Sequence, residues 1–410
     1  MSEQKIVNNL VNNNEKILNP EYLAKDASKV DKAFLENAIE KALKQIDLNM
    51  EYFGDSFQSP NTFDNIYKKM DNIEWTDGFW TGMVALAYEY SQNPKYLELV
   101  KKHIDSYYDR IVNKIEVDHH DMGFLYSLSC VAYYKLTGDL KAKEAALLAA
   151  RHLASRYIEE AKFIKAWGAM GVKENYRLII DCLLNIPLLH WAAQNGEEED
   201  KKLYEMAINH FNTSLHTVIR EDGTTFHTFY YDPDTNKPLY GKTRQGYSDD
   251  SCWARGQAWG VYGIPLTVKY AKNDPRLDKD TFKIHQKVVN QFLNNQGKDN
   301  VAYWDLIFNN DDTHSRDSSA SAIAACGLLE MAKHIDDEAT KKLYVDIAKS
   351  IVYSLATNYA NLETKPGSPV LFHGVYSWHS GKGVDEGNIW GDYYYLEALM
   401  RLYKEWDPYW

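Results

Sequence analysis

Cysteine is scarce in this chain of 410 residues: there are four, Cys130, Cys182, Cys252 and Cys326. Each sits inside an apolar segment, and their spacing fits neither a zinc pattern nor a disulfide framework. Buried, reduced thiols in a cytoplasmic protein are expected. Positive charge is also short, with 46 Lys and Arg against 58 Asp and Glu and a net charge of −12. That balance excludes nucleic acid and anionic membranes as general partners. No apolar run approaches a membrane span, and the opening stretch from Met1 to Asn9 holds no signal-peptide core. Linkers, low-complexity tracts and long charge blocks are missing, so residues 1–410 are expected to form one domain.

Motifs for several chemistries are missing too. There is no phosphate-cradling Walker loop, no Rossmann glycine pattern and no Gly-x-Ser-x-Gly nucleophile elbow. His119-His120-Asp121 lacks helical i, i+4 ligand spacing, and no other His or carboxylate spacing completes a metal site. Neither a metal nor a cofactor is expected. The acidic runs Glu197-Glu198-Glu199-Asp200 and Asp336-Asp337-Glu338 read as solvated turns leading into surface helices.

Aromatic residues are plentiful, at 13% with 30 Tyr and 11 Trp. Such an excess suits a site for sugars, whose rings present an apolar CH face, or simply the filling of a large helical core. Helical periodicity runs from end to end. Six segments (77–90, 121–136, 175–194, 250–270, 317–333 and 392–403) begin near Asp or Asn and continue through small and apolar residues. Helices apolar nearly all round are buried on both sides. Six amphipathic segments (35–50, 96–113, 140–157, 201–219, 280–294 and 338–358) alternate with them and read as outer helices. The expected fold is all-α, an α/α six-hairpin barrel. Residues 224–230 alternate like a strand, and a short hairpin near the barrel mouth is expected there. The polar starts of the buried helices would gather at that mouth.

Two aspartates stand in otherwise apolar surroundings: Asp121 in His120-Asp121-Met122-Gly123-Phe124, and Asp181 in Ile180-Asp181-Cys182-Leu183-Leu184-Asn185. An ionised carboxylate there is costly unless paired, hydrogen-bonded or protonated. Facing one cavity, two such acids would push one pKa up, leaving a carboxylic acid able to donate a proton near neutral pH. Buried caps or ion-pair partners are the plain alternative. Asp181 is expected about two turns into its helix, deeper than Asp121. Trp75 and Trp167 lie in loops before buried helices, His227 lies in the hairpin, and Gln245, Arg255 and Trp259 surround the start of the fourth buried helix. Arg255 and Trp259 share one helical face and together suit a charged sugar. A salt bridge from Arg255 to Asp249 or Asp250 is the structural alternative. Ser377, Ser380 and Lys382 occupy a Gly-containing loop able to wrap a sulfate or carboxylate, or to be an ordinary polar loop.

Together these residues resemble the unsaturated glucuronyl hydrolases, glycoside hydrolase family 88. The resemblance runs from Trp75 to the last buried helix and rests on the two aspartate motifs and on Arg255-Gly256-Gln257-Ala258-Trp259. It implies a six-hairpin barrel with Asp181 and Asp121 as the catalytic pair. It also implies substrate contacts at Trp75, Trp167, His227, Gln245, Arg255 and Trp259. The loop of Ser377, Ser380 and Lys382 resembles the version that accepts sulfated glycosaminoglycan fragments. The implied reaction hydrates the double bond between carbons 4 and 5 of an unsaturated uronic acid at the non-reducing end of a small oligosaccharide from chondroitin or hyaluronan. In it Asp181, kept uncharged, donates to carbon 4, while Arg255 and His227 meet the uronate. Two other readings are an unsaturated rhamnogalacturonyl hydrolase acting on pectin fragments and a non-catalytic sugar-binding helical barrel. Oligomeric state, sulfation position and linkage are not legible.

Overall fold

The computed structural model describes residues 10–310 and 312–410. The reading of Met1 to Asn9 as lacking a signal peptide lies outside the described residues. The chain is mainly helical, with short two- and three-stranded sheets. No described helix is long and apolar enough to cross a membrane.

The amphipathic segments are helices close to where periodicity places them: Lys32–Phe53, Pro94–Val112, Leu140–Ala154, Lys202–Leu215, Thr281–Asn294 and Glu338–Ser354. Local chemistry explains several starts. The side chains of Asp31, Asp139 and Asp337 accept the backbone N–H three residues on, the N-cap bond that a helix start otherwise lacks. Pro94 opens its helix where a missing N–H costs nothing.

The inner elements include the helices Asp77–Ser91, Met122–Tyr126, Pro187–Asn195, Ala254–Ala271, Ser318–Ala332 and Ile389–Tyr403. Ser318–Ala332 is buried at every position, as an apolar circumference requires. Successive inner elements pack on one another, and Ile389–Tyr403 packs back on Asp77–Ser91. Two glycines set the closeness of approach. A Cβ on Gly78 would lie 1.9 Å from the Phe124 carbonyl oxygen, and one on Gly123 would lie 2.4 Å from the Asn185 Cα.

Three inner stretches depart from simple helices. The segment after Asp121 is a short α-helix, a π-helical turn at Ser127–Val131 and a second α-helix, Ala132–Thr137. The expected helix at 175–194 is a strand, Arg177–Ile179, then a 3₁₀ turn, Ile180–Leu184, and only then the helix Pro187–Asn195. The cause is tertiary: Arg177–Ile179 pairs antiparallel with Thr228–Tyr231, which pairs in turn with Pro238–Lys242. The expected hairpin therefore exists with a third strand added. The fourth inner helix begins at Ala254, not 250, because residues 243–251 form a loop tied to Asp305.

Candidate active site

The starts of the inner elements open on a cavity of about 520 Å³. Its wall contains Asp121, Asp181, Trp75, Trp167, His227, Gln245, Arg255, Trp259, Ser377 and Lys382. Ser380 is outside: it is exposed on the turn of the hairpin made by Gly374–Ser377 and Lys382–Glu386, where its hydroxyl donates to the Ser377 carbonyl at 3.3 Å.

Asn185 sets the two aspartates against each other. Its Oδ1 accepts the Phe124 backbone N–H at 2.9 Å, and its Nδ2 donates to the Asp181 carbonyl at 3.1 Å. Asp121 thus stands at the N-cap of its short helix, while Asp181 stands on the 3₁₀ turn at the end of a strand. It does not lie two turns down a helix, because the strand pairing of 177–179 consumes those residues. His120, fully buried, lies between them: its Nε2 is 3.2 Å from Asp181 Oδ1 and 3.4 Å from Asp121 Oδ1. The role of this ring is not visible in the sequence, because its partner carboxylate is 61 positions away.

The charge order within the pair is the reverse of the expectation. Burial pushes Asp121 up to about 7, and the nearby charge of Asp181 adds to the rise. Burial also acts to raise Asp181, but His120 beside it and the Arg255 cation act against burial, and that carboxyl is held below the ordinary value. His119 fixes the backbone at Asp121. Its Nε2 faces the Glu116 carbonyl at 3.0 Å and so carries the hydrogen, leaving Nδ1 as acceptor. Nδ1 takes the Asp121 backbone N–H and also lies 3.1 Å from Asp121 Oδ2. That lone pair is taken by the backbone N–H, so the ring braces Asp121 from its main chain. Burial thus favours the proton on Asp121, and the surroundings of Asp181 favour its ionised form.

Arg255 does not pair with Asp249 or Asp250. Its Nη1 donates to Asp317 Oδ2 at 2.9 Å and to the Val375 carbonyl; its Nη2 donates to Gln245 Oε1 at 2.6 Å and the Tyr376 carbonyl at 2.8 Å. A guanidinium with four protein acceptors is a staple between the inner helices and the 374–386 hairpin, and it orients Gln245. His227, unlike Arg255, is favoured in its neutral form: burial, opposed by Asp181 and aided by Arg177, Arg255 and Arg244, lowers it to about 3. Its Nδ1 accepts the Arg244 backbone N–H at 2.9 Å, so the hydrogen is on Nε2. It can donate one neutral hydrogen bond.

Arg177, Arg244, Trp253 and Tyr376 also line the cavity and were not read from the sequence. No ion pair to Arg177, Arg244 or Lys382 occurs among the described residues, and Arg177 is buried at 3% exposure. No alternation marks 177–179, where one charged residue precedes three apolar ones; only the pairing with 228–230 brings Arg177 to the wall. The aromatic walls are braced from behind. Trp167 stacks on His119 at 4.8 Å, Trp75 stacks on Trp390 at 5.4 Å, and Trp75 Nε1 donates to Tyr376 Oη at 2.9 Å.

The side chains of His120, Asp121 and Asp181 offer ligand atoms within 4.8 Å of one another. A divalent ion could be held by such a set, which the sequence spacing did not reveal. Each pairwise contact is equally accounted for by an imidazole set between two carboxyls that share a proton.

A sugar-sized cavity with indole walls, cationic edges and two coupled carboxyls at its base defines a glycosidase-type acid–base site. The chain belongs to Glycosyl Hydrolase Family 88, whose family model matches residues 47–406. It is 54% identical over 397 residues to the unsaturated chondroitin disaccharide hydrolase of Streptococcus pneumoniae (strain ATCC BAA-255 / R6), covering 97% of this chain and 98% of that one. Among solved structures it is similar to the unsaturated glucuronyl hydrolase of Streptococcus agalactiae, with a TM-score of 0.92, 51% identity and coverage of 97% and 98%. A mutant of that enzyme complexed with dGlcA-GalNAc6S matches with a TM-score of 0.85, 48% identity and the same coverage.

Proposed function

We propose that this protein is an unsaturated glucuronyl hydrolase acting on lyase-generated disaccharides of chondroitin and hyaluronan, sulfated ones included. The observation that carries the reading is the His120-bridged pair of Asp121 and Asp181 at the base of a cavity walled by Trp75, Trp167 and Trp259. Kinship with enzymes named for this substrate class supports it.

In the proposed reaction the unsaturated uronic acid enters with its double bond over Asp181. Its carboxylate brings a like charge, and its ring displaces water; both favour the protonated form of Asp181. The proton favoured on Asp121 is then shared towards Asp181. Asp181 gives it to carbon 4 while water adds at carbon 5, and the water's own proton returns to the carboxylate. The product is a hemiketal, which opens and releases the neighbouring sugar. No displacement occurs at the anomeric carbon, so the separation of the carboxyls carries no stereochemical prediction. Arg255 holds Gln245 and the hairpin, while His227 Nε2–H is free to meet a substrate oxygen. Ser377 and Lys382 form the candidate sulfate contact; Lys382 Nζ lies 4.2 Å from the Tyr376 ring centroid.

We further read the inner and outer helices as a closed α/α six-hairpin barrel forming one domain over residues 1–410. The sequential packing of inner elements, last against first, supports this. The four free, buried cysteines support a cytoplasmic setting.

The deciding assay follows the ultraviolet absorbance of the conjugated alkene in an unsaturated chondroitin disaccharide. Loss of absorbance with release of the amino sugar is expected. Binding without turnover would leave a sugar-binding protein, and faster turnover of an unsaturated rhamnogalacturonyl fragment would move the substrate to pectin.

A further inference from the structure

The hairpin that carries Ser377 and Lys382 meets the main apolar core through Tyr376, at the base of its first strand. Towards its turn it rests on a separate small cluster of Tyr303, Trp304, Ile307, Phe308 and Val375, against which Tyr247, Trp378 and Val384 also pack. At the turn, Trp378 lies parallel to the buried Trp304, with ring centroids 4.8 Å apart and planes 7° from parallel. The next residue, His379, reaches across to the loop before the fourth inner helix. Its Nε2 lies 2.7 Å from the Gly246 carbonyl, and since a carbonyl only accepts, that nitrogen is the donor. Gly246 follows Gln245, a cavity residue. Two neighbouring side chains thus pin the turn to two different segments: the buried cluster at Trp304 and the loop that carries the cavity residue Gln245.

Neither ring lines the cavity, yet Ser377 directly precedes Trp378, and Lys382 follows His379 by three residues. A two-stranded hairpin is marginal by itself, so an unpinned turn would swing its polar groups through many positions. Holding them in one place removes an ordering cost from binding.

We propose that Trp378 and His379 are positioning residues for substrate selection: they pin the hairpin turn so that Ser377 and Lys382 face the sulfate of a sulfated disaccharide. The inference rests on the reading of that hairpin as the sulfate contact. The preference for a sulfated sugar is then set in part by a ring stack and an imidazole contact that never touch the substrate.

The test measures kcat and KM on 6-sulfated and unsulfated unsaturated chondroitin disaccharides. The proteins are wild type, Lys382→Ala, Trp378→Ala, Trp378→Phe and His379→Ala, with the melting temperature of each. Losing an aromatic pair of this kind should reduce the sulfated-to-unsulfated ratio of kcat/KM about three- to tenfold in Trp378→Ala, through KM for the sulfated substrate. Trp378→Phe should recover most of the ratio, and His379→Ala should lower it in the same direction. If Lys382→Ala lowers the ratio and neither Trp378→Ala nor His379→Ala does, the pinning role is overturned. Equal losses on both substrates would likewise overturn it, leaving a purely structural contact. If Lys382→Ala itself leaves the ratio unchanged, the sulfate reading of the hairpin falls and takes the proposal with it. Should Trp378→Ala fail to fold, the exposed His379→Ala decides alone.

Discussion

His119 accepts the Asp121 backbone N–H on Nδ1 at 3.1 Å, because its other nitrogen is committed to the Glu116 carbonyl. The contact fixes Asp121 in a buried pocket, and burial there raises its carboxyl to about 7. The proton is thus favoured on the more deeply buried carboxyl, while the more accessible one, Asp181, is held below the ordinary value.

The pH profile follows from that proton. A carboxyl raised to about 7 stays protonated below that value and loses its proton as pH rises through it. The profile of kcat/KM reports groups of the free enzyme. It should be highest on the acidic side of neutrality and fall through about pH 7. A rate still climbing at pH 9 would remove the shared proton from the mechanism.

Replacing Asp181 by Asn keeps shape and hydrogen bonding but removes the transferable proton. Turnover should fall by roughly 10²–10⁴-fold, the usual scale of a general acid–base contribution. Equilibrium binding of the disaccharide, followed by calorimetry, should persist. Near-normal turnover in Asp181→Asn would exclude it as the proton donor.

Arg255 is predicted to matter for stability as well as rate. Arg255 and Asp317 are an almost fully buried pair, with side chains 2% and 0% exposed. Removing one partner of such a pair typically costs about 3–5 kcal/mol. Arg255→Met should lower the melting temperature markedly and release Gln245 and the 374–386 hairpin. If thermal unfolding is unchanged and only KM rises, Arg255 is a substrate contact and not a staple.

Asp392 offers a separate stability test. Burial holds it up at about 7 although Tyr67 Oη and the Leu371 N–H both donate to it, at 3.0 and 2.7 Å. Its folded pKa exceeds the unfolded value of about 3.9, so the folded state binds more protons between the two. Its contribution to stability is full below the unfolded value and is lost as pH rises through about 7. Asp121 acts in the same sense. Melting temperature should fall across this window, and Asp392→Asn should make the fall shallower. An unaltered slope in that variant would assign the pH dependence elsewhere.

The alternation of apolar and amphipathic segments was enough to place most helices, since a 3.6-residue period and burial on one or both sides are local properties of the chain. The same local reasoning singled out Asp121, Asp181 and the tryptophans, because a charge or an indole in the wrong company is visible without coordinates. Which of two carboxyls bears a proton is a property of distances between residues remote in sequence. The burial of Asp121 and the placement of His120 and Arg255 about Asp181 bias it. Strand pairing of 177–179 with 228–230 overrode a helical pattern and brought Arg177 to the wall. Arg255 appeared free for a ligand until Asp317, Gln245 and two hairpin carbonyls were found to occupy its donors. Residue type and periodicity are written along the chain; ionisation and hydrogen-bond saturation exist only between parts that folding brings together.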